Sequence, residues 1–180
     1  MSNAPKPASE SSSDLIENLI AEAKRIEEDA TYSCKGHFEA ARGWDRWHYW
    51  IGVPATVVAA TAGLSALKHY TNISAVLSFA AAGLSAVFTF LHAKEKATTY
   101  LRAGNAYSAL QKDARVFYEI ECPGQGSLEK LKGLFRQLID RRNKLNSESP
   151  QIPRWAFVRA RKGIEEGEAA YKVDAGAKHA

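Results

Sequence analysis

The chain has 180 residues, of which 46% are hydrophobic and 24% charged, with a formal net charge of +4. That length fits one domain, and the composition is too apolar for a disordered chain and too polar for an all-membrane one. It holds no Gly-rich phosphate loop, no His-Glu-x-x-His and no Cys-x-x-Cys, and His37, His48, His69, His92 and His179 are dispersed, so the chain does not read as an enzyme and calls for no cofactor or metal.

Residues 1–13 are rich in Ser, Pro and Ala with no apolar core, and are expected to form a disordered tail with no signal peptide. Asp14 followed by Glu17 fits a capping box, which starts a helix over 14–46. Its apolar stripe is Ile16, Leu19, Ala23, Ile26, Ala30, Cys34, His37 and Ala41, recurring at steps of three and four. Gly36 and Gly43 are weak points in that helix.

Two uncharged stretches follow. Between Arg46 and Lys68 lie 21 residues without Asp, Glu, Lys or Arg, and between Lys68 and Lys94 another 25. About 20 apolar residues cross a hydrocarbon core of about 30 Å. The spacing predicts transmembrane helices over 47–67 and 73–93, joined by a turn at Lys68-His69-Tyr70-Thr71-Asn72. The alternative is a buried hairpin in a soluble bundle. The first span is only marginally apolar, at ~2–4 kcal/mol from its six strong residues, so it is expected to lean on protein neighbours. Pro54 should kink or break it. Trp44, Trp47, Tyr49 and Trp50 form an interfacial belt at its entry, or else ordinary bundle core.

A helical extension is expected over 94–121, stopped by Cys122-Pro123-Gly124-Gln125-Gly126. Ser127 caps a helix over 127–145 with Leu128, Leu131, Leu134, Phe135, Leu138 and Ile139 on its apolar side. Pro153 opens a last helix over 153–172, and 175–180 is a tail. The fold class is therefore all-α: a two-helix transmembrane hairpin whose long helices extend into a cytosolic bundle. Residues 14–174 make a single domain. Cys34 and Cys122 read as reduced cytosolic thiols.

Each span has a distinctive face. Gly52, Thr56, Ala59, Gly63 and Ala66 lie within about 60° on the first, a small-residue face suited to helix packing in lipid. On the second, Ser74, Ser78, Ser85 and Thr89 form a weakly polar face, a candidate pore lining. The alternative is that these hydroxyls bond back to their own helix and merely permit packing. One hairpin encloses no pore, so conduction requires a homo-oligomer. With no charged residue inside either span, active transport by this chain alone is not expected.

Lys35, Arg42 and Arg46 precede the first span, and Lys94, Lys96, Arg102 and Lys112 follow the second, whereas the link has Lys68 alone. Both termini are therefore expected in the cytoplasm. Residues 1–30 carry seven acids against three bases, and 127–162 carry ten bases against three acids. Three readings stand: the two regions pair in one bundle, the basic part meets anionic lipid, or it binds an anionic ligand or partner. Arg141, Arg142, Lys144, Arg154, Arg159, Arg161 and Lys162 are the candidate contacts. No nucleic acid polymer is expected. His48 and His92 both fall near the cytoplasmic interface, where a titrating pair is conceivable beside a role as polar caps.

Four segments carry a family likeness: Ile26-Glu-Glu-Asp-Ala-Thr-Tyr-Ser-Cys-Lys-Gly-His-Phe-Glu-Ala-Ala41, Trp47-His-Tyr-Trp-Ile-Gly-Val-Pro54, Tyr100-Leu-Arg-Ala-Gly-Asn-Ala-Tyr107 and Ser149-Pro-Gln-Ile-Pro-Arg-Trp-Ala-Phe157. In that order around a membrane hairpin, the chain resembles the SLATT domain, a bacterial two-helix membrane effector domain. The resemblance implies a multi-pass protein of the bacterial inner membrane acting in anti-phage conflict. It implies pore formation and a nucleotide-signal synthase or sensor as partner, with no catalytic residues to carry over. A non-conducting anchor or scaffold for a cytosolic partner is the alternative.

Overall fold

The computed structural model describes residues 8–67, 71–124, 126–169 and 171. The predicted turn at 68–70 and the tails at 1–7 and 175–180 lie outside them. The fold is all-α, with α1 (Ala8–Leu67), α2 (Thr71–Leu91), α3 (Ala93–Val116), α4 (Leu128–Glu148) and α5 (Arg154–Glu165). No strand occurs among the described residues. Two of the helices are long and apolar enough to cross a membrane. The chain divides into two compact units. One, the bundle unit, combines the residues up to His37 with those from Arg102 onward; the other, the hairpin unit, is Phe38–Leu101.

In the bundle unit, α1 buries Ala23, Ile26, Ala30, Cys34 and His37, five members of the expected stripe. Steps of three and four put them on one face, and their removal from water drives the packing. Leu110 and Ala114 of α3 and Leu131, Phe135 and Leu138 of α4 complete the core, with the Phe117 and Phe135 rings 5.7 Å apart. Acidic and basic segments distant in sequence meet here. Arg142 pairs with Asp29, Arg141 pairs with Asp113, and the Tyr118 hydroxyl donates to Glu27 at 2.7 Å. Burial, then that hydrogen bond, raises the Tyr118 pKa and keeps the phenol protonated.

Several boundaries differ from expectation. α1 begins at Ala8, so Asp14 lies inside the helix and does not start it. Nor do Gly36, Gly43 and Pro54 interrupt α1, which runs through all three. Gly36 is a seat instead of a weak point: a Cβ there would lie 2.9 Å from Ile152 Cδ1. The Ser127 hydroxyl caps α4 by accepting from Lys130 N at 3.3 Å, and α4 runs on to Glu148, past the expected end at 145. α5 stops at Glu165, short of the expected 172. Gly167 adopts φ +89°, Gly167 N bonds Ile164 O at 3.0 Å and Glu168 N bonds Gly163 O at 2.9 Å, the paired bonds of a Schellman stop. Before α4, α3 passes into a π-helical turn, Phe117–Glu121.

Cys34 and Cys122 are free and buried. Burial raises both thiol pKa values, so they pack as small apolar groups and are poor nucleophiles.

Candidate functional site

The hairpin unit is built for apolar surroundings. Residues 47–67 of α1 and all 21 of α2 each rise about 31 Å, the thickness of a hydrocarbon core. Its large apolar side chains point outward: Phe79 is 81% exposed, Phe90 84% and Val76 68%. A core helix of a soluble protein hides such groups. Monomeric soluble proteins rarely leave contiguous apolar patches above a few hundred Å².

Inside the hairpin, the least exposed residues recur at steps of three and four. On α1 they are Ile51, Gly52, Ala55, Val58, Ala62 and Ser65; on α2 they are Ser74, Leu77, Ala81, Leu84, Phe88 and Leu91. The two faces meet around Phe88, whose ring lies 4.9 Å from that of His48 and 3.2 Å from where a Cβ of Gly52 would sit. Gly52 thus gives Phe88 room against the α1 backbone.

Within the hairpin, this seam is not the small-residue face. Only Gly52 of that set is on it. Thr56, Ala59, Gly63 and Ala66 are exposed, and nothing lies within 4 Å of a Cβ built on Gly63. The physical reason is the bulk of the facing helix: Phe88 of α2 seats against Gly52 and His48, and Ile51, Ala55 and Val58 form the less exposed side of α1 while the rest of the small-residue stripe is turned outward. Of the candidate pore residues, Ser74 is half-buried on the seam, whereas Ser78, Ser85 and Thr89 are exposed.

Parts of the two faces do converge. Gly52, Thr56 and Ala59 of α1 and Ser85 and Thr89 of α2 line one open cavity of about 560 Å³ on the flank of the hairpin. Thr56 Oγ1 donates to Gly52 O at 2.9 Å, and Thr89 Oγ1 donates to Ser85 O at 2.9 Å. Their donors are spent on their own helices, so what they present outward is a methyl group and an oxygen acceptor.

The aromatic cluster expected as a belt, Trp44 to Trp50, lies within α1. Trp47, Tyr49 and Trp50 are exposed, with Trp50 at 72%. Trp44 departs from the expected belt: it is half-buried, and its indole Nε1 is buried without a hydrogen-bond partner. Lys96 Nζ lies 4.4 Å from the Trp44 ring centre. Helix α1 carries through Pro54, whose missing N–H leaves the Trp50 carbonyl without its usual donor one turn into the span.

The α2–α3 joint is sharper than expected. His92 takes φ +44°, the left-handed region, and separates α2 from α3 inside the span expected over 73–93. Its carbonyl accepts the first α3 bond from Lys96 N at 3.0 Å, and its Nδ1 faces Glu95 Oε2 at 3.3 Å. His48 and His92 therefore engage different neighbours, a ring and a carboxylate. Lys94 Nζ bonds Asp45 Oδ1 at 2.9 Å; this hydrogen bond and the Asp45 charge raise the Lys94 pKa.

In the bundle unit the seven candidate basic residues are divided. Arg142 and Arg161 line a cavity of about 540 Å³ with Tyr32, Tyr107, Asn146 and Phe157. Arg142 is engaged by Asp29 and Arg161 by Glu165, so an anion entering must displace a carboxylate. Arg141 is held by Asp113 at a separate site. Lys162 is 3.7 Å from Glu166. Lys144, Arg154 and Arg159 have no carboxylate partner among the described residues. The described residues contain no group of three or more His, Cys, Asp or Glu placed to hold a metal ion.

Sequence reasoning missed His92 as a joint and Gly36 as a seat, whereas it put His37 on the apolar stripe of α1, the face that is buried. His37 is 2% exposed, its ring centre 5.2 Å from that of Tyr107, and burial lowers its pKa to about 4. Its place in the α1 stripe was the available signal.

The chain matches no family model, no curated protein and no solved structure.

Proposed function

We propose that this protein is a non-enzymatic, pore-forming membrane effector whose hairpin inserts in a bacterial inner membrane and assembles with copies of itself. The observation that carries this reading is the exposure of the hairpin away from its seam: membrane-length helices with Phe79, Phe90 and Val76 outward and a flank of Ser78, Ser85 and Thr89 left uncovered. Lys and Arg flank both spans while the link has one Lys, which favours cytoplasmic termini. The small-residue stripe of Thr56, Ala59, Gly63 and Ala66, turned away from the seam, supplies a face on which a neighbouring helix can approach closely. The SLATT resemblance supports a role in anti-phage conflict, with a nucleotide-type signal or its synthase or sensor as trigger.

Ion release from liposomes holding the purified chain, with cyclic oligonucleotides absent and then present, tests it. Release that depends on nucleotide supports a gated pore, and constitutive release supports a pore restrained in the cell by a partner. No release from verified, inserted protein overturns the proposal.

A second reading has its own observation. The Thr56 and Thr89 hydroxyls are tied to their helices, as expected if that flank only permits packing. On this reading the hairpin is an anchor that holds the bundle unit at the membrane for a cytosolic partner, and the same assay gives no flux.

A further inference from the structure

Helix α5 is amphipathic with its size classes inverted. The side it buries is built of Ala156, Ala160 and Gly163 alone. Its large apolar residues are outside: Trp155 is 41% exposed and Val158 56%. At 100° per residue, Arg154, Val158, Lys162, Trp155 and Arg159 share an outward arc of about 140°. The Arg159 guanidinium lies 5.7 Å from the Trp155 ring centre. Glu165 is the one acid on this arc, and Arg161 Nε bonds it at 2.8 Å. The face is therefore three cations around two apolar side chains; its one carboxylate is engaged by Arg161, and Lys162 keeps only an exposed pairing at 3.7 Å with Glu166, just past the helix end.

We propose that this face of α5 docks on the anionic headgroup surface of the bilayer that holds the hairpin. The proposal rests on the reading that the hairpin is inserted. Three features favour a lipid surface over an acidic protein. A specific protein interface takes about 800 Å² per partner, whereas this patch offers only two large apolar side chains. An indole has an apolar body and one polar edge, which settles at headgroup depth, and the Arg and Lys stems lie along apolar surface while their heads reach phosphates. Finally, weak attraction between cations and an anionic leaflet becomes effective when the two are tethered in one molecule, because the second contact is then intramolecular. Docking of α5 would tie the state of the bundle unit to the lipid charge around it.

The test uses the full chain in nanodiscs of phosphatidylcholine, with or without phosphatidylglycerol. An environment-sensitive fluorophore is placed on Val158→Cys, Cys34 and Cys122 being buried. Headgroup-labelled lipid should quench the probe at least about twofold more in anionic discs, and high salt or the triple variant R154E/R159E/K162E should abolish the difference. Equal quenching in both lipids, or a probe open to aqueous iodide in both, overturns the proposal; the latter result points to an acidic protein as the occupant. Failure of the chain to enter nanodiscs is a separate result and overturns the insertion beneath the proposal. Circular dichroism of the triple variant verifies its helix content.

Discussion

Replacing Phe79 with Arg separates a membrane hairpin from a soluble one because the two predict opposite signs. Phe79 lies near the middle of α2, 81% exposed within the chain. In water, Phe79→Arg removes an exposed apolar ring, loses almost no packing, and improves solubility. In a bilayer, the nine strongly apolar residues of α2 favour insertion by ~3–5 kcal/mol, at about 0.3–0.6 each. The substitution forfeits about 0.5 kcal/mol and adds ~2.5–3.5 for an Arg at the helix centre, a shift of ~3–4 kcal/mol. At 1.4 kcal/mol per tenfold, the inserted fraction falls by roughly 100- to 1,000-fold in intrinsic preference, which brings α2 to the edge of insertion. The assay is the share of protein resistant to alkaline extraction from membranes, with Ser78→Thr as a matched control. Wild type and control should stay in the membrane while much of the Arg variant is released. Unchanged partition, together with a larger soluble fraction, would refute the reasoning and place the hairpin in water.

Gly36→Leu should destabilise the bundle unit by about 1–3 kcal/mol, since a Cβ alone would come within 2.9 Å of Ile152 Cδ1 and 3.1 Å of its Cγ2. The midpoint of chemical denaturation followed by near-ultraviolet circular dichroism in detergent reads this, and paired Ile152→Ala should recover part of the loss. His37 gives the bundle a pH dependence. Its folded pKa, lowered to about 4 by burial, lies below the usual 6.5, so above pH 6.5 it is neutral in both states and contributes no slope. As pH falls from 6.5 to 4 the unfolded chain takes up a proton that the folded one refuses, and about 3 kcal/mol of stability is lost. The same denaturation series on His37→Phe should lack that component of the slope; an identical pH profile for the two proteins would contradict the assignment.

The parts of the fold legible in the sequence are those set by local physics. Charge-free runs of membrane length mark the hairpin, a 3–4 stripe marks the bundle face of α1, and Ser127 marks a cap because its hydroxyl needs only a nearby backbone donor. What depended on distant partners was not legible. A projection at 100° per residue finds the Gly52–Ala66 stripe but says nothing about the bulk of the facing helix, and Phe88 of α2, seated against Gly52 and His48, marks which side is the seam. Likewise, the basic residues of 141–162 look like one patch until Asp29, 113 residues from Arg142, and Asp113 claim two of them. His92 carries no strong signal for a positive φ, although His adopts it more often than most residues. Gly167 did carry the signal for the end of α5: a glycine followed by a polar segment is where a helix reverses into the left-handed region.

The account turns on conduction along the hydroxyl flank of α2. Single-channel recording in planar bilayers, wild type beside Ser78→Leu/Ser85→Leu, tests it most directly, since both residues are exposed and accept the larger side chain without disturbing the seam. The account predicts discrete current steps from the wild type and none from the double variant, with the same oligomer recovered from both. Absence of current from inserted wild-type protein, or equal conductance in the variant, would contradict it.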